Sequence, residues 1–176
     1  MKRFLYTAAV ALVFAGCATA GMDGPALQGQ AVLKDKTGQQ VGFATLTEGS
    51  DGVRIEVTGA GLPPGPKGIH IHGVGKCDPP EFASAGAHFN PGGTKHGRLN
   101  PDGSHAGDLP NLVVTPVGAA GLDVTTRAVT LRVGGASSLL GPAGTSLVIH
   151  AQPDDERTDP TGNSGARIAC GVITRN

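Results

Sequence analysis

Residues 50–59 read S-D-G-V-R-I-E-V-T-G. Behind the turn-forming S-D-G, Val53, Ile55 and Val57 alternate with Arg54, Glu56 and Thr58. Successive side chains of a strand point to opposite faces, so this segment has one apolar face for a core and one polar face for water. The turn suits a hairpin, and Gln40–Thr47 on its far side reads as a neighbouring strand. Gln28–Lys34 alternates more weakly, and further strand-like runs occupy Gly68–His72, Leu112–Val117, Asp123–Val133, Ser146–His150 and Ile168–Thr174. Helical spacing over three turns occurs nowhere beyond the first 16 residues. Eight short strands separated by Gly- and Pro-rich breaks predict an all-β, antiparallel sandwich or flattened barrel.

The chain of 176 residues suits one domain with a short additional segment. With 29 glycines, 13 prolines, no Trp and one Tyr (Tyr6), it favours short strands and long connections over helices. The formal charge is zero, and no basic run is interleaved with aromatics. That removes the electrostatic case for nucleic acid or for an anionic membrane surface.

The N-terminus reads as an address. Lys2 and Arg3 precede an apolar core, Leu5–Phe14, that is too short to span a bilayer. F-A-G-C then leads to Cys17, and resembles the lipobox of bacterial lipoproteins, with Phe14 where leucine is usual. Residues 1–16 are therefore expected to be a leader of the lipoprotein type, residues 17–27 a flexible tether, and residues 28–176 the domain. An ordinary leader cleaved near Ala18 or Ala20 is the alternative. Either way the domain is expected in the periplasm or cell envelope; with the lipoprotein-type leader, a lipid on Cys17 is its only membrane association. Outside the cytoplasm the two other cysteines, Cys77 and Cys170, form a disulfide by default; two buried free thiols are the alternative.

Between the strands lie two long irregular segments. Gly73–Asp108 runs for 36 residues with almost no periodic pattern, and a second loop covers Ala151–Ala166. Structureless stretches of that length inside a compact domain are usually functional. All six histidines fall in or beside them: His70 and His72 as H-I-H, then His88, His96 and His105, and finally His150 at the end of S-L-V-I-H. On a strand, His70 and His72 share a face. His88, His96, His105 and Asp108 offer three nitrogens and one oxygen, the habit of a closed tetrahedral zinc site. An all-imidazole tetragonal set suits Cu(II). Singly, each histidine reads as an ordinary surface residue; together with Asp108 they supply enough ligands for two ions if one histidine is shared.

These segments resemble the copper/zinc superoxide dismutase family. The likeness is carried by G-I-H-I-H-G (68–73), G-A-H-F-N-P (86–91), K-H-G (95–97), H-A-G-D-L-P-N-L (105–112), L-V-I-H (147–150) and G-N-S-G-A-R-I-A-C-G-V-I (162–173), and spans residues 28–174. It implies an eight-stranded Greek-key barrel with two long functional loops. It implies one copper on His70, His72, His88 and His150, and one zinc on His88, His96, His105 and Asp108, with His88 shared. It also implies the Cys77–Cys170 disulfide, and Arg167 beside the copper as the residue that receives a small anion. Asp154 would hydrogen-bond His70 and His96, with Asp155 as the competing candidate. The activity implied is conversion of superoxide to dioxygen and hydrogen peroxide, with Arg167 and His88 as catalytic residues. A copper-binding or copper-delivery protein without turnover is the rival. The chain departs from the eukaryotic pattern in one respect: the loop before Arg167 is shorter, and its Glu/Lys substrate-guiding cluster has no clear counterpart. Glu156, Arg157 and Asp159 stand there instead, with Lys76 and Lys95 available from the other loop. No apolar stripe selects an oligomeric state, and a homodimer stays open.

Overall fold

The computed structural model describes residues 26–176. The expected leader and Cys17 lie outside the described residues, as does the expected tether up to residue 25. Among the described residues no helix is long and apolar enough to cross a membrane.

Among the described residues nine strands form one antiparallel sheet: β1 (Leu27–Asp35), β2 (Gln40–Gly49), β3 (Gly52–Gly59), β4 (Gly65–Lys67), β5 (Ile69–His72), β6 (Leu112–Val114), β7 (Ala120–Thr126), β8 (Thr145–His150) and β9 (Arg167–Arg175). Their order is β4-β6-β7-β3-β2-β1-β9-β8-β5. The end strands β4 and β5 are separated in the chain by Gly68 alone, so the sheet nearly closes on itself. Connections that skip neighbours, β3 to β4 and β7 to β8, give it Greek-key winding. The β3 alternation points Val53, Ile55 and Val57 inward, each no more than 1% exposed. They join Leu33, Leu46, Ile69, Ile71, Leu112, Leu147 and Ile149 in the main core.

The strand expected over Gly68–His72 is divided, which raises the count from eight to nine. Gly65, Pro66 and Lys67 pair with β6, whereas Ile69 to His72 pair with β8. At Gly68 the chain changes partner: its N–H donates to the Gln152 carbonyl, and its own carbonyl accepts from His150 N–H. A proline inside this short strand is tolerated because β4 lies at a sheet end and pairs on one side only. Two expected strands are also shorter. Val114 is followed by the turn Thr115–Gly118. β7 ends at Thr126, beyond which the Glu48 carboxylate draws the chain away, accepting from Leu131 N–H and the Thr130 hydroxyl.

Strands β5 and β8 are buried along their whole length. Ile69 and Ile71 face the core, so alternation turns His70 and His72 to the other face, beneath the long loops. The first loop also lies along β5 like an extra strand. Ile71 N–H donates to the Gly107 carbonyl, Phe89 N–H to the Ile71 carbonyl, and Gly107 N–H to the Phe89 carbonyl. This covers the open sheet edge and sets His88 opposite His72 and Asp108 opposite His70. Gly107 is needed for so close an approach, since a Cβ there would overlap the Ile71 carbonyl.

Candidate metal centre

All six histidines are buried, from 0% to 7% exposed, which is unusual enough for polar rings to require an explanation. They form two groups joined at His88. One nitrogen each from His70, His72, His88 and His150 lies within 4.8 Å of the others, as do one ligand atom each from His88, His96, His105 and Asp108. Nδ1 of His70 and Nε2 of His72, His88 and His150 are buried without a hydrogen-bond partner. Buried polar atoms left unpaired are costly; four from one cluster indicate a cation as the missing partner.

The second group is tighter. Asp108 Oδ1 lies 3.2 Å from His88 Nδ1, 3.1 Å from His96 Nδ1 and 3.4 Å from His105 Nδ1, and the His88 and His105 Nδ1 atoms are 3.4 Å apart. A tetrahedral ion with bonds of about 2.0–2.1 Å has ligand-to-ligand edges of about 3.3–3.4 Å. The four separations, 3.1 to 3.4 Å, lie close to those edges, so this group can hold an ion of that size.

The opposite ring nitrogens are anchored. Asp154 Oδ2 is 2.7 Å from His70 Nε2 and Oδ1 is 3.0 Å from His96 Nε2, so one carboxylate braces both groups. Asp155 does something else: it caps its own loop, accepting from the backbone N–H groups of Arg157 and Thr158. Nδ1 of His72 and of His150 face the Gly86 and Gly165 carbonyls at 2.9 and 3.2 Å. Such contacts fix the tautomer and the ring orientation.

Electrostatics divide the two groups. Burial dominates at His70, His72 and His150 and pushes them down to about 4, 2 and 3, so these rings are neutral and available as ligands. At His96 burial acts in the same direction, but hydrogen bonds and charge from Asp108 and Asp154 outweigh it and raise the ring to about 9. Burial opposes ionisation of those two carboxyls, yet their histidine contacts hold both well below the usual carboxylate range.

Above the rings opens a cavity of about 880 Å³, with His72, His88, His105 and His150 in its wall. Its charged lining consists of Glu81, Lys95, Asp159 and Arg167. Lys95 pairs with Asp159 at 3.0 Å, while Lys76 does not line the cavity. Arg167 is held by the Phe82 and Gly86 carbonyls, both at 2.6 Å. Cys77 and Cys170 are disulfide-bonded, with Cα atoms 5.6 Å apart, tying the first loop to β9.

Three supporting residues were not legible beforehand. Asn111 clamps the Asp154 backbone, donating to its carbonyl at 2.9 Å and accepting its N–H at 2.8 Å. Gly162, at φ +61°, passes so close that a Cβ would overlap the Asp154 carboxylate and His96 Nε2. Phe82 takes a left-handed φ of 54° and is 1% exposed, packing on Ala85, Val148 and Cys170 while its carbonyl meets Arg167. Asn111 and Gly162 stand in the quoted motifs, but Asn111 acts on Asp154, 43 residues away, and Gly162 lies against His96 from the other long loop.

The family model for copper/zinc superoxide dismutase (SODC) matches residues 40–173. A copper-zinc superoxide dismutase of Aquifex aeolicus is 49% identical over 148 residues, covering 84% of this chain and 86% of that protein. The Superoxide dismutase-like protein YojM of Bacillus subtilis is 42% identical, over 82% of this chain and 74% of its own. The crystal structure of a double mutant of a SOD-like protein from Bacillus subtilis superposes with a TM-score of 0.79 at 43% identity, covering 81% of this chain and 95% of that one. With a nearly closed antiparallel barrel that carries, beneath its long loops, two histidine clusters sharing one ring, the chain belongs to the copper/zinc superoxide dismutase family.

Proposed function

We propose that the protein is a superoxide dismutase, turning superoxide into dioxygen and hydrogen peroxide. The observation that carries this reading is the set of unpartnered nitrogens on His70, His72, His88 and His150, beneath a cavity that Arg167 helps to line. Copper held by those four histidines supplies one-electron oxidation and reduction, while zinc on His88, His96, His105 and Asp108 is structural. The remaining work belongs to the protein. Arg167 gives a fixed positive charge and a planar array of donors for a small anion. The Phe82 and Gly86 carbonyls take one N–H from each of its terminal nitrogens, which holds the guanidinium in place. His88 faces both ion positions, so its Nε2 is suited to take up a proton and hand it to the reduced product. Asp154 keeps His70 and His96 in the tautomers both ions need.

The second reading is a copper-binding protein on the same fold without turnover. It is favoured by the relative named only as dismutase-like. Retention of every candidate ligand and of Arg167 supports turnover. A dismutation assay on protein shown by elemental analysis to carry both metals tests this. Catalysed loss of superoxide is expected, and inactivity with both metals bound overturns the reading.

Export is part of the proposal. It is supported by the order of charged, apolar and small residues before Cys17 and by a disulfide, a bond that persists in oxidising compartments. The lipid on Cys17 then anchors the domain to the cell envelope.

A further inference from the structure

Apart from the shared His88, each candidate histidine ligand uses one ring nitrogen for an ion and needs an acceptor at the other. His70 and His96 have Asp154, His72 has the Gly86 carbonyl, and His150 has the Gly165 carbonyl. His105 has no such hydrogen bond. Its Nδ1 points at Asp108, and 4.0 Å from its Nε2 lies Oδ1 of Asp159. That carboxylate is already oriented. Oδ1 accepts the His96 backbone N–H at 2.8 Å, and Oδ2 pairs with Lys95 Nζ at 3.0 Å. Three groups from the first loop therefore surround one carboxylate from the second. Two of the three belong to candidate zinc ligands, and the third is the neighbour of one.

We propose that Asp159 is a positioning residue for the zinc end of the site: it serves His105 as Asp154 serves His96. The inference rests on the zinc assignment above. At 4.0 Å the contact exceeds a hydrogen bond, but it is closed by one bridging water or by a movement of about 1 Å. The negative charge makes the His105 ring a better donor to the ion. The bond to His96 N–H and the pair with Lys95 lock the two loops together over the zinc position. Nothing in the pattern around residue 159 announces this, since T-D-P-T reads as an ordinary exposed turn.

The test compares wild type with Asp159→Ala, Asp159→Asn and, as a control, Asp51→Asn, an exposed carboxylate paired only with Arg127. Zinc affinity is measured on full-length protein by competition with a chelator, and cobalt(II) is bound in place of zinc to record its visible absorption. Loss of an outer partner of a metal-bound histidine typically costs 10- to 100-fold in affinity. Asp159→Ala is expected to fall in that range and to shift the cobalt bands. Asp159→Asn, which keeps an acceptor and loses the charge, is expected to lie between it and wild type. Asp51→Asn and copper content should not change. An Asp159→Ala variant that binds zinc within about twofold of wild type, with unaltered cobalt bands, overturns the role of Asp159 alone. Wild-type protein that takes up neither zinc nor cobalt overturns the zinc assignment with it.

Discussion

Arg167 is the cavity's one cation without a carboxylate partner among the described residues, because Lys95 is neutralised by Asp159. Replacing it separates binding of the ions from use of them. Arg167→Ala is expected to lower kcat/KM for superoxide by at least tenfold with copper and zinc content unchanged. His88→Ala should disturb both metals, since both groups use its ring. Elemental analysis beside the rate measurement distinguishes the two; loss of copper from Arg167→Ala would make its role structural. The ring ionisations carry a second prediction, for metal-free protein. An unfolded histidine takes its proton near pH 6.5, but folded His70, His72 and His150 resist protonation down to about 4, 2 and 3. Below pH 6.5 the unfolded chain binds more protons, and stability is lost as pH falls. His96, raised to about 9, acts in the opposite sense: its contribution is full below pH 6.5 and is lost as pH rises through 9. Tm in chelator should peak near pH 6.5 and fall more steeply on the acid side, where His105, also lowered by burial, joins the other three against His96 alone.

Strand β5 carries the site because it has two different faces and one sheet neighbour. Its isoleucines fill the core, its histidines face the loops, and the first loop takes the hydrogen-bonding edge that β8 leaves open. The loop is fastened elsewhere too, through Asp154 and Asp159 to the second loop and through Cys77 to β9. The disulfide closes 93 residues of chain. The chain-entropy relation assigns a closure of that length about 4–5 kcal/mol. Cys77→Ser with Cys170→Ser should lower the free energy of unfolding by about that amount, read from denaturant curves with m fitted separately for each protein, because loss of the cross-link expands the unfolded chain and raises m. Phe82 packs beside the disulfide and its carbonyl holds Arg167, so the double variant should also lose activity beyond any loss of metal.

Neutrality extends from the composition to the cavity. The formal charge of the chain is zero, and the cavity lining carries two acids, Glu81 and Asp159, against two bases, Lys95 and Arg167. A wall of one sign would concentrate an anion and make its capture sensitive to salt. Here the four side-chain charges sum to zero, so attraction for an anion is left to short range, from Arg167 and the bound ions. kcat/KM should change less than about twofold between low and physiological ionic strength, and Glu81→Gln should raise it at low salt by removing a negative charge from the mouth. A steep fall with salt in the wild type would show that a more distant field governs approach.

Local pattern was enough for a good deal of this molecule. The alternation at Val53–Val57 forced a strand with one buried face, and the H-I-H pair placed two rings on the same side of another. Two lone cysteines behind an export-like leader made the disulfide the default. Each of these follows from residues close in the chain or from a simple count. The division of one expected strand into β4 and β5 does not, because it depends on β6 and β8 claiming opposite sides of Gly68. Neither does the difference between Asp154 and Asp155, identical neighbours that the backbone turns in opposite directions, one onto two histidines and the other onto its own loop. Asn111, Gly162, Phe82 and Asp159 stayed hidden for the same reason: their roles are contacts with distant residues, and such contacts exist only once the barrel has brought the two loops together.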